Sequence, residues 1–287
     1  MGTNDFAVEE LGRTTIMGSR SYSLKSRHVD QTFQIDVARP QRAGDRDAPL
    51  PVVYVLDGNS SFGLAVPTAR LLQDDGLPPV LIVSIGYRFD ETRPLQSQFF
   101  ETRTRDYTPS ADQAWLKMSA EALAKRDVDV GCAATGGASA FLAFIEDELK
   151  PFIASRYAVK ADDQTLTGMS LGGLFTLYAL FEKPESFARY AAFSPSLWWN
   201  DRVLFQNEDA LAKKAKDLPV RLFLSVGVLE EGFGPPYSMV SNLETLRQTL
   251  VSRNYPGLRM THTVFPDETH GSVYPASLSR GLRALFG

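Results

Sequence analysis

Cysteine is nearly absent from this chain of 287 residues: Cys132 stands alone, which excludes an internal disulfide and any thiolate-rich metal site. Histidine is scarce too, with His28, His262 and His270 dispersed along the chain, so no metal centre is expected. No apolar run approaches the roughly 20 residues that span a bilayer. The net charge of -4 and the pI near 5.5 leave no basic excess to draw the chain to nucleic acid or an anionic membrane. The segment from Met1 to Phe6 carries neither a basic-then-apolar leader nor the serine or threonine of a myristoylation signal. A soluble, cytoplasmic protein is therefore the expectation.

What is present is a 44% hydrophobic chain, enough for a large core. Loosely alternating residues 14–27 and 31–37 predict two or three antiparallel edge strands, followed by an exposed loop at 40–47. Continuous apolar runs at 51–56 and 80–85 have the character of central parallel strands. Helices are expected at 63–72, 138–157, 207–216, 240–253 and 276–286, with Pro151 a possible bend in the second. Further strands fall at 189–193, 219–226 and 260–265. Strands alternating with helices over the whole length predict one α/β domain across 1–287, with a mostly parallel sheet covered on both faces. Residues 87–113 show no clean period, 114–126 suit a lid helix and 131–137 a flexible link, so 87–137 is expected to be an irregular insertion covering the site.

The chemistry concentrates at Gly168-Met-Ser170-Leu-Gly172-Gly173, between a β-prone run and an apolar helical one. This is G-x-S-x-G in the strand-turn-helix context that makes a nucleophile elbow, and it would aim the Leu171 amide at a substrate carbonyl oxygen. A serine needs a base. His270 follows the last strand, where a loop returns to the sheet edge that carries ligand sites. His28 lies between edge strands and reads as a surface residue, and His262 lies inside a strand, where packing in a buried sheet is expected. The acid that orients the histidine should come from the loop Gly227-Val-Leu-Glu230-Glu231-Gly232. Glu230 is the choice, with Glu231 beside it and Asp201, Asp267 and Glu268 as further candidates. The turn Asp57-Gly-Asn59 offers the Asn59 amide as a second oxyanion donor, unless it is a plain turn. Arg103 and Arg105 either bind an anionic substrate or pair with Asp106. Trp198 and Trp199 either face the site as rigid aromatic surfaces or pack in the core. Cys132 is expected to be a small structural residue.

In their order and combination, the stretches VVYVLDG (52–58), RTRDYTP (103–109), FLAFIEDELKPFIASRY (141–157), GMSLGGLFTLYAL (168–180), FSPSLWW (193–199), SVGVLEE (225–231) and HGSVYP (270–275) resemble a known family. They are similar to the esterase D-like α/β hydrolases of the putative-esterase family, a group that includes mycolyltransferases and enterochelin-type siderophore esterases. The last branch is the most similar, through FSPSLWW and HGSVYP. The resemblance implies an α/β-hydrolase fold without cofactor, a triad at Ser170, Glu230 and His270, and oxyanion amides at Asn59 and Leu171. It implies a serine esterase working through an acyl-enzyme on a small-molecule ester, with siderophore-type lactones the substrates of the nearest branch. The negative charge of a ferric catecholate trilactone would account for arginines near the mouth. A short-acyl carboxylesterase, a formylglutathione hydrolase-like thioesterase, an acyltransferase with the same triad and a non-catalytic binding protein on this fold stand as alternatives.

Overall fold

The structure, a computed structural model, describes residues 15–41, 48–131 and 133–287. The N-terminal segment, most of the 40–47 loop and Cys132 lie outside them. An eight-stranded sheet organises the chain: β1 (Ser19–Lys25), β2 (Thr32–Ala38), β3 (Leu50–Val55), β4 (Leu81–Tyr87), β5 (Val159–Met169), β6 (Arg189–Phe193), β7 (Arg221–Gly227) and β8 (Arg259–Phe265). Their spatial order is β1-β2-β4-β3-β5-β6-β7-β8. The β1–β2 and β2–β4 pairs are antiparallel, and all the others are parallel. The helices are α1 (Gly58–Leu72), α2 (Leu95–Tyr107), α3 (Gln113–Ala124), α4 (Ala138–Phe144), α5 (Lys150–Arg156), α6 (Leu171–Glu182), α7 (Trp199–Lys214), α8 (Met239–Arg253) and α9 (Val273–Phe286).

Burial explains the strand patterns. β4 is Leu-Ile-Val-Ser-Ile-Gly-Tyr and every residue of it is buried, because helices cover both faces of the sheet there. One core layer is built with α1 and α9, through Ala65, Val66, Leu278 and Leu282. The other draws Phe141, Phe144, Leu174, Phe175, Leu204 and Leu246 from α4, α6, α7 and α8. In α6 every residue from Leu171 to Phe181 is buried, and each large apolar side chain taken out of water there contributes roughly 1.5–3 kcal/mol. No helix among the described residues is long and apolar enough to cross a membrane.

Several local expectations are corrected. His262 is exposed rather than packed, because β8 is the last strand of the sheet and pairs on one side only. Residues 95–107, without apolar period, nevertheless form α2. Its buried face is polar, made by Ser97, Gln98, Thr102, Thr104 and Asp106 beside Tyr107, so a hydrophobicity pattern could not show it. The long helix expected at 138–157 is divided: Ile145–Leu149 forms a π-turn between α4 and α5. Pro151 follows at once, and a wider turn accommodates a residue that has no amide to donate and a ring that crowds the preceding carbonyls. The helix expected at 207–216 begins eight residues earlier, at Trp199, and is kinked in its first turn by a left-handed run at Asn200, Asp201 and Arg202 (φ 40°, 50° and 61°).

Candidate active site

In an open parallel sheet, ligand sites form beyond the carboxyl ends of the strands, where the order reverses. Here β3 is flanked by β4 on one side and β5 on the other, so the reversal lies between β3 and β5. Asp57 leaves the end of β3 and Ser170 the end of β5. Ser194 follows β6, Glu230 follows β7 and His270 follows β8, which places the five on one edge.

Ser170 occupies φ 62°, ψ -119°, a conformation costly for a residue with a side chain and held here by its surroundings. Its amide donates to Phe193 O at 2.9 Å, and its carbonyl accepts from Leu174 N at 2.9 Å and Ser196 N at 3.1 Å. The turn is tight enough that a Cβ on Gly168 would lie 2.4 Å from Gly172 O. Only glycine fits at that position. The amides of Leu171 and Asn59 open α6 and α1, where first-turn donors lack an intrahelical acceptor. Neither has a backbone partner among the described residues.

Glu230 is fully buried on a short 3₁₀ segment, Val228–Phe233. Its Oε1 accepts from Gly227 N at 2.6 Å and from Ser194 Oγ at 2.7 Å, and its Oε2 lies 2.5 Å from His270 Nδ1. A buried carboxylate needs such donors to offset its lost hydration. They also fix its orientation, and Leu229 N donating to Glu268 O at 3.1 Å ties the acid loop to the histidine loop. With Glu230 at Nδ1, the tautomer assigned from this contact carries its proton there and leaves Nε2 as the free base. Phe233 meets the imidazole edge-to-face at 6.2 Å. Adjacent Glu231 faces elsewhere, accepting from Ser241 N at 2.9 Å and Ser241 Oγ at 2.5 Å in front of α8. Burial works against its charge, but the Ser241 hydrogen bonds outweigh that and hold its pKa below the usual carboxylate value. Asp201 and Asp267 sit at exposed positions, and Glu268 accepts from Ser272 Oγ.

Ser170 Oγ makes no hydrogen bond to His270. It lies 3.5 Å from Ser196 Oγ. His28 pairs with Asp147 at 3.1 Å, away from this edge. Sequence reasoning passed over both serines of Ser194-Pro-Ser196, one holding the acid and the other facing Ser170. The usable signal was their position directly after β6, on the same edge as the elbow.

A cavity of about 590 Å³ opens at Ser170 and Leu171, walled by Phe99, Phe100, Trp115 and Trp198. The four proposed substrate contacts divide. Trp198 lines the cavity, whereas Trp199 is fully buried, T-stacked on Trp115 at 4.8 Å with its Nε1 donating to Ser110 O at 3.3 Å. Trp199 is thus a core residue, because the chain turns inward at the start of α7. Arg105 is corrected as well: it donates from Nε and Nη2 to the two oxygens of fully buried Asp106, at 2.6 and 3.1 Å, and does not line the cavity. Burial pushes the Asp106 carboxyl above its ordinary pKa, and Arg105 works against that shift.

Arg103 does line the cavity, with most of its donors engaged. Nε and Nη2 bond the Asp57 carboxylate at 2.7 and 3.1 Å, and Nη2 also reaches Met169 O at 2.9 Å. Burial disfavours its charge, yet Asp57 outweighs that, and the guanidinium pKa lies above its ordinary value. The pair ties the β3 loop to the residue before Ser170. Tyr107 completes the brace by accepting from Asp57 N at 2.9 Å. Asn59, across the loop, holds the β4 end by exchanging hydrogen bonds with Tyr87 N at 2.7 Å and Tyr87 O at 3.0 Å. No cluster of three or more metal-ligating side chains occurs among the described residues.

A strained serine at an elbow, flanked by unpaired amides and sharing an edge with a buried carboxylate–imidazole pair, has the parts of an acyl-transfer site. Comparison with known proteins agrees. The chain is 34% identical to the ferri-bacillibactin esterase BesA of Bacillus subtilis (strain 168) over 276 residues, covering 94% of this chain and 90% of that one. It is 35% identical to a siderophore enterobactin esterase of Emericella nidulans over 284 residues, covering 89% and 90%. The crystal structure of the BES protein from Bacillus cereus superposes with a TM-score of 0.81 at 30% identity, covering 99% of this chain and all of that one. The family model described as "Putative esterase" matches residues 26–255, and the chain belongs to that family as an α/β-hydrolase ester hydrolase.

Proposed function

We propose that the protein is a serine esterase that opens siderophore-type lactone esters through an acyl-enzyme on Ser170. The observation that carries the assignment is the fully buried Glu230 bonded to His270 Nδ1 on the sheet edge where Ser170 emerges. His270 Nε2 takes the Ser170 proton as Oγ attacks the ester carbonyl, and then returns it to the leaving alkoxide. Water repeats the cycle to release the acid. Glu230 holds the ring and stabilises the imidazolium. The amides of Leu171 and Asn59, at two helix N-termini, would receive the oxyanion. For this, Ser170 Oγ exchanges Ser196 for His270 in the substrate complex, where catalytic hydrogen bonds commonly tighten. The substrate class is supported by the names of the relatives above and by an aromatic cavity suited to flat aryl groups.

A panel of ferric and iron-free catecholate trilactones beside 4-nitrophenyl acetate and butyrate is expected to give the highest kcat/KM on a trilactone. Preference for the short-acyl esters would overturn the substrate assignment and leave the triad standing.

A further inference from the structure

Among the described residues, the cavity at Ser170 has no carboxylate in its wall, although acids outnumber bases, 34 to 30, in the chain. Two arginines line it. The charge of Arg103 is spent on Asp57. Arg126, just past α3, is exposed, and its guanidinium has no hydrogen-bond or ion-pair partner among the described residues. The acids that follow it, Asp127 and Asp129, line with Glu121 an adjoining depression that shares Val128 with the cavity. A neighbouring cavity shares Trp115 and Trp198 but carries Asp112 and Asp201 beside Arg202, so it offers an anion no net positive charge. Among the described residues lining the cavity, the positive charge without an ion-pair partner is therefore that of Arg126.

We infer that Arg126 determines specificity by pairing with an anionic group on an aromatic ester whose carbonyl lies at Ser170. The inference rests on the esterase reading above and adds to it the residue that recognises charge. A guanidinium offers a planar fork to a carboxylate or catecholate oxygen pair, and the aromatic walls take the ring that bears it. Nothing in the triad geometry depends on Arg126, since the bonds that fix Glu230, His270 and Ser170 come from β5, β6, β7 and their loops.

A matched pair of probes isolates the charge: 3-carboxyphenyl acetate and its neutral analogue 3-carbamoylphenyl acetate. Arg126→Gln is expected to lower kcat/KM for the carboxylate by about tenfold, the scale of one charge-assisted hydrogen bond, mainly through KM. The amide should change by less than about twofold, in keeping with an exposed residue outside the reacting set. Arg126→Lys should restore part of the carboxylate preference, and the Arg126→Gln loss should shrink as salt screens the wild-type enzyme. Equal effects on both esters, or no effect on either, would overturn the inference. Labelling by a fluorophosphonate read on the same samples separates the two levels: Arg126→Gln labelled at Ser170 like wild type confines a negative result to Arg126, whereas unlabelled wild-type protein would overturn the esterase reading as well.

Discussion

Ser170→Ala is expected to lower kcat/KM by about 10⁵- to 10⁶-fold on every ester the enzyme turns over, the scale seen when a triad nucleophile is removed. No neighbour can stand in for it. Ser196 Oγ lies 3.5 Å away but hangs from the loop after β6, and its amide already donates to Ser170 O. Residual activity should come from the oxyanion amides and binding alone. The fold should not change, because alanine keeps the Cβ, and with it the φ 62° strain, while the amide still bonds Phe193 O. Circular dichroism and a melting temperature close to wild type, measured on the sample used for kinetics, would show the loss to be chemical. Activity within a hundredfold of wild type would contradict the nucleophile assignment.

The second large effect is expected at Glu230. In Glu230→Gln the amide oxygen can still accept from Ser194 Oγ and Gly227 N, so packing is preserved. The amide NH₂ then faces His270 Nδ1 and donates to it, forcing the ring proton onto Nε2, the nitrogen that must accept from Ser170. The expected fall in kcat is about 10³- to 10⁴-fold, as for a tautomer error in this type of triad. Glu231→Gln makes the control: its carboxylate is bonded to Ser241 in front of α8, so kcat should stay within about twofold and only stability should shift, by roughly 1 kcal/mol or less. Comparable losses in the two variants would contradict the geometry.

The local chemistry of the elbow was legible because its requirements are local. A serine at positive φ needs small neighbours, and a buried helix behind it needs an unbroken apolar run; both are written contiguously from Gly168 to Phe181. The central strands were legible for the same reason, since burial on both faces leaves continuous apolar stretches such as 80–85. Three-dimensional neighbours were not. Ser194 holds Glu230 from 36 residues away, and Arg103 braces Asp57 from 46 away; neither contact leaves a periodic trace. α2 escaped because the face it buries is made of hydroxyls, an amide and a carboxylate, most of them held by specific bonds such as Thr102 Oγ1 to Gln98 O at 2.8 Å. Trp198 and Trp199 could not be separated in sequence, because one residue of chain direction decides which ring meets the cavity and which enters the core.

Covalent labelling tests the central claim most directly. Intact mass after treatment with a fluorophosphonate is expected to show one adduct per chain, mapped by peptide sequencing to Ser170 and absent from Ser170→Ala. Labelling should be slowed strongly in Glu230→Gln. Folded wild-type protein that takes no label, or takes it at Ser194 or Ser196 instead, would contradict the account.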